Sequence, residues 1–290
     1  MSARRVALAT CTAWPTLDND GPELRAALAA EGLDVDLPVW DDPSVDWAAY
    51  DLVVIRSTWD YWLRRDDYLA WARSVPRLAN EADVVAWNTD KTYLRALEAE
   101  GIPIVPTTWL TPGDSFVPPD VPFVVKPTVS AGAQDTAAYP AGAADARAHV
   151  EGLLSAGRGV MLQPYVASVD TEGETSVLVF EGAPSHSARK RAILTVGGGI
   201  VRDLSARYVI EPHAASAEEV ALAQEVVDLV QGWGHDLLYA RVDLLPGPVL
   251  IELEVTEPSL FLEHAPGSAQ RFAQAVVRRV ERTAGATPRS

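Results

Sequence analysis

The chain has 290 residues, 48% apolar and 22% charged, which is material for two domains, or one with a large insertion, and too apolar for a disordered chain. With 24 Lys and Arg against 40 Asp and Glu, its formal charge is −16, a field that repels nucleic acid and obliges any anionic ligand to be held by local cations or metal. The single cysteine, Cys11, excludes an internal disulfide and a cysteine zinc cluster.

The first part, residues 1–86, alternates strands and helices. Val6–Thr10 reads as a strand, and its apolar run is too short for a signal-peptide core. Asp20-Gly-Pro-Glu opens a helix with Pro22 in its first turn, and Gly32 closes it. Val35–Val39 and Leu52–Ile55 are apolar runs suited to a buried parallel sheet, followed by a helix over Asp66–Ser74 and a strand over Val84–Trp87. The expectation is a parallel α/β unit with helices covering the sheet.

From Trp87 the texture changes. A helix capped at Asn88 or Thr89 runs to Gly101, with Lys91 in its first turn, where the helix dipole disfavours a cation unless an anion sits nearby. After a Pro- and Gly-rich stretch (Thr111–Pro122) come strands Phe123–Lys126 and Gln134–Tyr139, a helix near Asp145–Ser155 and strand Val160–Gln163. Residues 87–166 are expected to form one lobe and 167–290 a second. The second holds strands Thr175–Glu181 and Ser185–Arg191, a helix opening on the capping box Ser216/Glu219, strands Leu237–Leu245 and Val249–Glu254 joined by Pro246-Gly247-Pro248, and a closing helix over Ser268–Thr283. This half reads as antiparallel α+β. No window approaches the ~20 apolar residues of a membrane span, and a cytoplasmic protein is expected.

The residues able to do chemistry cluster at strand ends. In Arg241-Val-Asp243 and Glu252-Leu-Glu254, residues two apart share a face. If the two strands pair, three carboxylates and a guanidinium converge on a sheet otherwise apolar enough to be buried. Buried carboxylates need a compensating cation, and an all-oxygen set suits Mg²⁺; a solvated face with Arg241 pairing one acid has the same pattern. Lys126 leaves its strand into a loop of small residues, Thr128-Val-Ser130-Ala-Gly132, from which it can reach phosphate oxygens while backbone N–H groups approach closely. Strand Val160–Val166, through Gln163 and Tyr165, runs into Asp170, Glu172 and Glu174, an arrangement able to hold adenine against backbone and ribose against a carboxylate.

Strand Leu52–Ile55 ends in Arg56-Ser57-Thr58-Trp59-Asp60. Ligands of open α/β sheets bind beyond such ends, so the segment can read an amino acid, Arg56 taking its carboxylate and Asp60 its ammonium; a helix start capped by Ser57 or Thr58 is the plainer reading. In Ser185–Arg191, Arg189 and Arg191 share a face and Lys190 points the other way, so either face can present positive charge to phosphate or simply guard an edge strand. Gly197-Gly-Gly199 has no following Lys-Ser or Lys-Thr and reads as a flexible turn able to act as a lid. The five histidines lack zinc-type pairing.

In order and spacing, Asn88-Thr-Asp-Lys91, Val125-Lys126-Pro127, Ser130-Ala-Gly132, Gln163-Pro-Tyr165-Val166, Gly173-Glu174, Arg241-x-Asp243 and Glu252-x-Glu254…Pro258 resemble the ATP-grasp ligases, over essentially the whole chain and most closely their glutathione-synthetase-like branch. Arg56-Ser-Thr-Trp-Asp-Tyr61 and Glu252-Leu-Glu-Val-Thr-Glu-Pro258 also resemble the smaller group that includes the cycloserine-biosynthesis ATP-grasp enzyme. The resemblance implies an N-terminal parallel α/β domain followed by a two-lobed ATP-grasp module, with ATP and two Mg²⁺ as cofactors. It implies that Lys91 and Lys126 hold phosphates, that Gln163–Val166 lies against adenine, that Asp170 or Glu172 approaches ribose, that Asp243, Glu252 and Glu254 bind metal, and that Arg241 faces the transferred phosphoryl.

The family usually carries Asn where Glu254 stands and more glycines around Gly132, so the metal face gains a charge and the loop stiffens. The expected activity is phosphorylation of an amino-acid-type carboxylate to an acyl phosphate, which an amine then attacks, with release of ADP and phosphate. The alternatives are ring closure within an O-ureidoserine-like substrate and a nucleotide sensor without chemistry. Small-molecule substrates, no membrane and a homo-oligomer, as is common among relatives, complete the expectation.

Overall fold

The computed structural model describes residues 4–202 and 209–285. Four parallel strands, β1 (Arg4–Ala9), β2 (Leu33–Asp36), β3 (Leu52–Ile55) and β4 (Leu78–Ala79), make the first sheet in the order β2-β1-β3-β4. Its central strands are apolar on both faces, and alternate residues enter two cores. Val6, Leu8, Leu52 and Val54 pack with Leu24 and Leu28 of helix α1 (Gly21–Ala30), whereas Ala7, Val53 and Ile55 pack with Tyr68 and Trp71 of helix α2 (Arg65–Ser74).

Two expectations fail just beyond this sheet. Val84–Trp87 lies inside a helix, α3 (Ala82–Asn88), and the fourth strand is the two-residue β4. A four-residue apolar run does not distinguish a strand from one buried turn of helix. The helix expected from Asn88 to Gly101 begins later, as α4 (Tyr93–Ala99), because residues 89–92 form a turn. Lys91 therefore sits in that turn and not in a helix's first turn; its backbone N–H donates to Thr128 O at 2.8 Å.

Strands β5 (Thr108–Leu110), β6 (Phe123–Pro127), β7 (Ala137–Tyr139) and β8 (Val160–Pro164) form an antiparallel sheet in the order β5-β8-β6-β7, with helix α5 (Ala146–Ser155) packing Val150, Leu153 and Leu154 against it. The short helix α6 (Val169–Glu172) leads into the third sheet. Its strands are β9 (Glu174–Phe180), β10 (Ala183–Lys190), β11 (Ile210–Pro212), β12 (Tyr239–Leu245) and β13 (Val249–Glu254), antiparallel in the order β11-β10-β9-β12-β13. Helix α7 (Ala217–Gly232) opens on the Ser216/Glu219 capping box and covers one face together with α4.

The other face changes character along the strands. Phe180 and Tyr239 lie under Phe272 and Val276 of helix α8 (Ser268–Gly285), which also packs on α1. Two residues further along β12 the same face carries Arg241, and two further Asp243, while β13 sets Glu254 opposite Arg241 and Glu252 opposite Asp243. The apolar part of the sheet is thus buried by α8, and the charged part is left to line a cavity.

Two buried asparagines bind the first unit to this sheet. Asn80, directly after β4, donates to Tyr239 O at 2.9 Å and Val255 O at 2.7 Å and accepts from Leu238 N at 2.6 Å. Asn88 donates to Leu253 O at 2.8 Å and accepts from Val255 N at 3.0 Å. Each satisfies backbone groups that are otherwise cut off from water. Asn80→Ala should lower stability by about 3 kcal/mol, since buried groups left without a partner each cost about 1–3 kcal/mol. Urea denaturation checks this; a loss below about 1 kcal/mol would mean that the strands do not depend on Asn80.

Candidate active site

The charged face of the third sheet, the second sheet and the first unit enclose a cavity of about 790 Å³. Its middle is a network of opposite charges. Asp243 is fully buried and accepts from Ser176 Oγ at 2.6 Å, from Lys190 Nζ at 2.7 Å and from Arg241 Nη2 at 2.9 Å. Burial works to raise its pKa, but Arg241 and Lys190 outweigh burial and hold it well below the usual carboxylate range. Lys190 also pairs Glu174 at 2.8 Å, and Arg241 pairs Glu254. Lys91 reaches Glu252 at 3.2 Å and Ser130 O at 2.9 Å. Lys126 lies close by, its pKa lowered by burial against the pull of Glu252 and Glu174.

At one of these carboxylates burial outweighs the cations. Burial, reinforced by Glu252 and Asp243 and only partly offset by Arg241, pushes Glu254 up to about 7. Ligand oxygens of Asp243, Glu252 and Glu254 lie within 4.8 Å of one another, a hard, all-oxygen set that fits Mg²⁺. Within that set Asp243 is already engaged by three donors, so Glu252 and Glu254 are the more available ligands.

Backbone geometry keeps Lys190 in place. Gly173 has φ +74°, and a Cβ there would stand 2.5 Å from Lys190 O and 2.9 Å from Arg189 Cδ. A side chain would push β10 outward; this accounts for glycine before Glu174. Gly132, φ +58°, turns the loop after β6 so that Ser130, Ala131, Gly132 and Ala133 all border the cavity.

One end of the cavity is apolar and strand-lined. Val105, Val124, Met161, Leu245 and Leu253 surround Gln163, Tyr165 and Val166 at the end of β8, and Gln163 Nε2 is held by Thr107 Oγ1 at 2.9 Å. Asp170 and Glu172, candidates for the ribose, do not border the cavity. They belong to α6, where Asp170 accepts from the Tyr165 hydroxyl and Glu172 O accepts from Arg189. Glu174, on β9, does border it. Arg189 faces away toward His213, while its neighbour Lys190 points in, as strand alternation requires. Gly197–Gly199 forms a turn against β7, with Gly197 N donating to Ala138 O at 2.9 Å, and the preceding Ile193 and Leu194 border the cavity.

The opposite end is walled by Trp14, Trp59, Tyr61 and Phe261, with Asp18, Asp20, Glu257 and Glu263 among them. Of the segment expected to read an amino acid, only Trp59 is exposed to the cavity. Arg56 is buried beneath it, donating to Pro258 O at 2.7 Å with Asp20 at 3.7 Å. Ser57 is fully buried, Thr58 bonds the Tyr68 hydroxyl at 2.8 Å, and Asp60 accepts from Trp40 Nε1 at 2.8 Å. The strand end is at the site, but its polar side chains serve the scaffold. Sequence reasoning passed over Trp14, Tyr61 and Glu257. The last carried a signal, a third acid closely following Glu252 and Glu254 and placed directly before Pro258.

A nucleotide-sized cavity between two antiparallel sheets, with lysines from both and an acidic β-hairpin floor, is the architecture of an ATP-grasp ligase. The cycloserine biosynthesis protein DcsG of Streptomyces lavendulae is 37% identical over 298 residues, spanning 95% of this chain and 99% of that protein, so the chain belongs to the DcsG family of ATP-grasp ligases, ATP-dependent, ADP-forming enzymes that make C–N bonds. The family described as D-cycloserine synthetase DcsG, N-terminal domain, matches residues 6–80. The crystal structure of D-cycloserine synthetase DcsG superposes with a TM-score of 0.85 at 34% identity, covering 95% of this chain and 99% of that one. The fold extends to D-alanine–D-alanine ligase from Bacillus anthracis in complex with ATP, with a TM-score of 0.63 at 15% identity over 97% and 98% of the two chains. It extends also to the ATP-grasp ligase PsnB with minimal precursor, Mg and ADP, with a TM-score of 0.59 at 17% identity over 95% and 98%. No helix among the described residues is long and apolar enough to cross a membrane.

The burial of these acids has a consequence for stability. Glu254 and Glu257 rise from 4.5 to about 7 and about 8. Below about pH 4.5 both are protonated folded or unfolded; as pH rises through their folded values the unfolded chain ionises them more easily, and stability is lost. Without Mg²⁺ the protein should become less stable between about pH 5 and 8.5, and Glu257→Gln should recover about 2–4 kcal/mol at the upper end. Chemical denaturation across that range checks it; an unchanged pH slope in the variant contradicts it.

Proposed function

We propose that this chain uses ATP and Mg²⁺ to activate the carboxylate of an O-ureidoserine-like amino acid as an acyl phosphate, which a nitrogen of the same molecule then captures to close a ring. The observation that carries the reading is the convergence of Lys91, Lys126, Lys190 and Arg241 on the hairpin acids Glu252 and Glu254 in one cavity. In this reading adenine lies against Gln163, Tyr165 and Val166, with the triphosphate running along the lysines toward Arg241. Lys91 and Lys126 hold the phosphates in line, and Arg241, fixed by Asp243, faces the γ-phosphoryl. When bound at Glu252 and Glu254, Mg²⁺ supplies neutralisation of the phosphate oxygens as charge shifts toward ADP.

The carboxylate oxygen forms its bond to the γ-phosphorus as the bond to the bridging oxygen breaks and ADP leaves. Attack by nitrogen then expels phosphate. The aromatic wall of Trp14, Trp59, Tyr61 and Phe261 keeps water from the acyl phosphate, which water would hydrolyse. Ring closure is favoured over the joining of two molecules by the identity to DcsG along nearly its whole length. A ligation with a separate amine remains the second reading, since the Trp59 end adjoins the phosphate end in the same cavity.

Phosphate release from ATP, measured with Mg²⁺ and O-ureidoserine and no added amine, tests the proposal. The wild-type protein should turn over, and Glu252→Gln should lose at least about 100-fold in rate, the scale on which such electrostatic contacts act. Turnover only when a second amine is present would favour the intermolecular ligation; near-normal turnover in the variant would remove the metal assignment.

A further inference from the structure

Four carboxylates stand at the aromatic end of the cavity, and three are already employed. Asp20 accepts from Leu260 N at 2.8 Å and Leu262 N at 2.6 Å. Asp18 accepts from Asp20 N at 3.2 Å, with Arg56 at 3.9 Å. Glu263 takes Asn19 Nδ2 at 3.4 Å and lies 3.4 Å from His264. The fourth, Glu257, is 8% exposed and opens onto the cavity, and among the described residues its carboxylate has no hydrogen-bond or ion-pair partner. It is also outside the set of acids close enough to share a metal, Asp243, Glu252 and Glu254.

Its backbone is, by contrast, firmly held. Trp59 Nε1 donates to Glu257 O at 2.9 Å, and Arg56 donates to the next carbonyl, Pro258 O. The side chain is therefore aimed by two contacts from the first unit and left without a partner of its own. The charged groups around it are Glu254, Glu252, Lys91 and Arg241, with the hydroxyls of Tyr61 and Tyr68 beside it, and burial reinforced by Glu254 raises its pKa. A buried carboxyl in such surroundings is costly unless a cationic group of the ligand docks on it.

We propose that Glu257 binds the α-ammonium group of the amino-acid substrate and is thereby the residue that selects an amino acid over an amine-free acid. The proposal rests on the reading that the cavity activates an amino-acid carboxylate. With that carboxylate turned toward Arg241 and Lys91, the ammonium one carbon away faces Glu257, and the side chain extends toward Trp14 and Trp59. The assignment replaces Asp60, which is bound to Trp40, as the ammonium partner.

The test uses O-ureidoserine and its deaminated counterpart, 3-(ureidooxy)propanoic acid, with ATP and Mg²⁺. Wild-type kcat/KM should favour the amino compound by at least about 100-fold, because a site built to pair a polar group rejects an analogue that lacks it. In Glu257→Gln the ratio should fall at least tenfold through a raised KM for O-ureidoserine, with ATP affinity within twofold of wild type; Glu257→Asp should restore part of it. Retention of the full ratio in Glu257→Gln, with ATP still bound, overturns the assignment while leaving the activity standing. A wild-type protein that releases phosphate with neither compound nor with any other amino acid overturns the activity reading, and the assignment with it.

Discussion

Asp20 sits at the start of α1 without capping it. Its two oxygens cross to the far end of the chain and take the amides of Leu260 and Leu262. Around it the first unit grips the whole stretch that follows β13. Asn88 takes Leu253 and Val255, Asn80 takes Val255, Trp59 takes Glu257, and Arg56 takes Pro258. From the other side His186 Nε2 meets Leu260 O at 2.8 Å, and burial holds this ring down to about 4, so it stays neutral. Residues 253–262 have little regular structure after the strand ends, and many of their backbone groups are satisfied by side chains of the first unit, more than 150 residues away in sequence. Buried backbone that is neither helix nor sheet needs such partners. These contacts hold the backbone of the aromatic end of the cavity, from Glu257 to Phe261.

The second constraint is charge. The hairpin sets four ionisable side chains in two opposed pairs, Arg241 with Glu254 and Asp243 with Glu252, on a face that an ordinary sheet would bury with apolar residues. Asp243 and Arg241 compensate each other and stay ionised. Glu254 and Glu257 are buried with too little cationic compensation, and that burial, reinforced by neighbouring carboxylates, raises their pKa values. A site so arranged is destabilising by itself and is relieved by cationic ligands. The same logic lets a chain of net charge −16 hold a polyanionic nucleotide, since the cations are concentrated where phosphate would lie.

Much of this is legible in the amino-acid sequence. The i, i+2 spacing of the hairpin acids, the Ser216 capping box, the parallel first unit and the Pro-Gly-Pro turn follow from local rules, and the motif order led to the ATP-grasp family. What was not legible is direction. Arg56 and Asp60 end a strand where ligands bind, but nothing local reveals that Pro258 and Trp40, distant in sequence, claim them. Asp170 and Glu172 closely follow the cavity-lining Gln163–Val166 in sequence and are turned aside by a single turn of helix. Val84–Trp87 reads as strand or helix equally well, and the packing of Val84 under the third sheet decides it. Glu257 is a case of the opposite kind, an acid passed over in the sequence because nothing local shows that it stays buried and, among the described residues, without a partner.

The central claim is that the first unit builds the aromatic end of the cavity through Asp20. Hydrogen exchange at the Leu260 and Leu262 amides, compared between wild type and Asp20→Ala with MgATP present in both, tests it directly. The account predicts that both amides lose protection by at least about 100-fold in the variant, as local opening without a partner implies, while the amides of β12 and β13 keep theirs. Unchanged protection at Leu260 and Leu262 would mean that the segment holds its shape without the first unit.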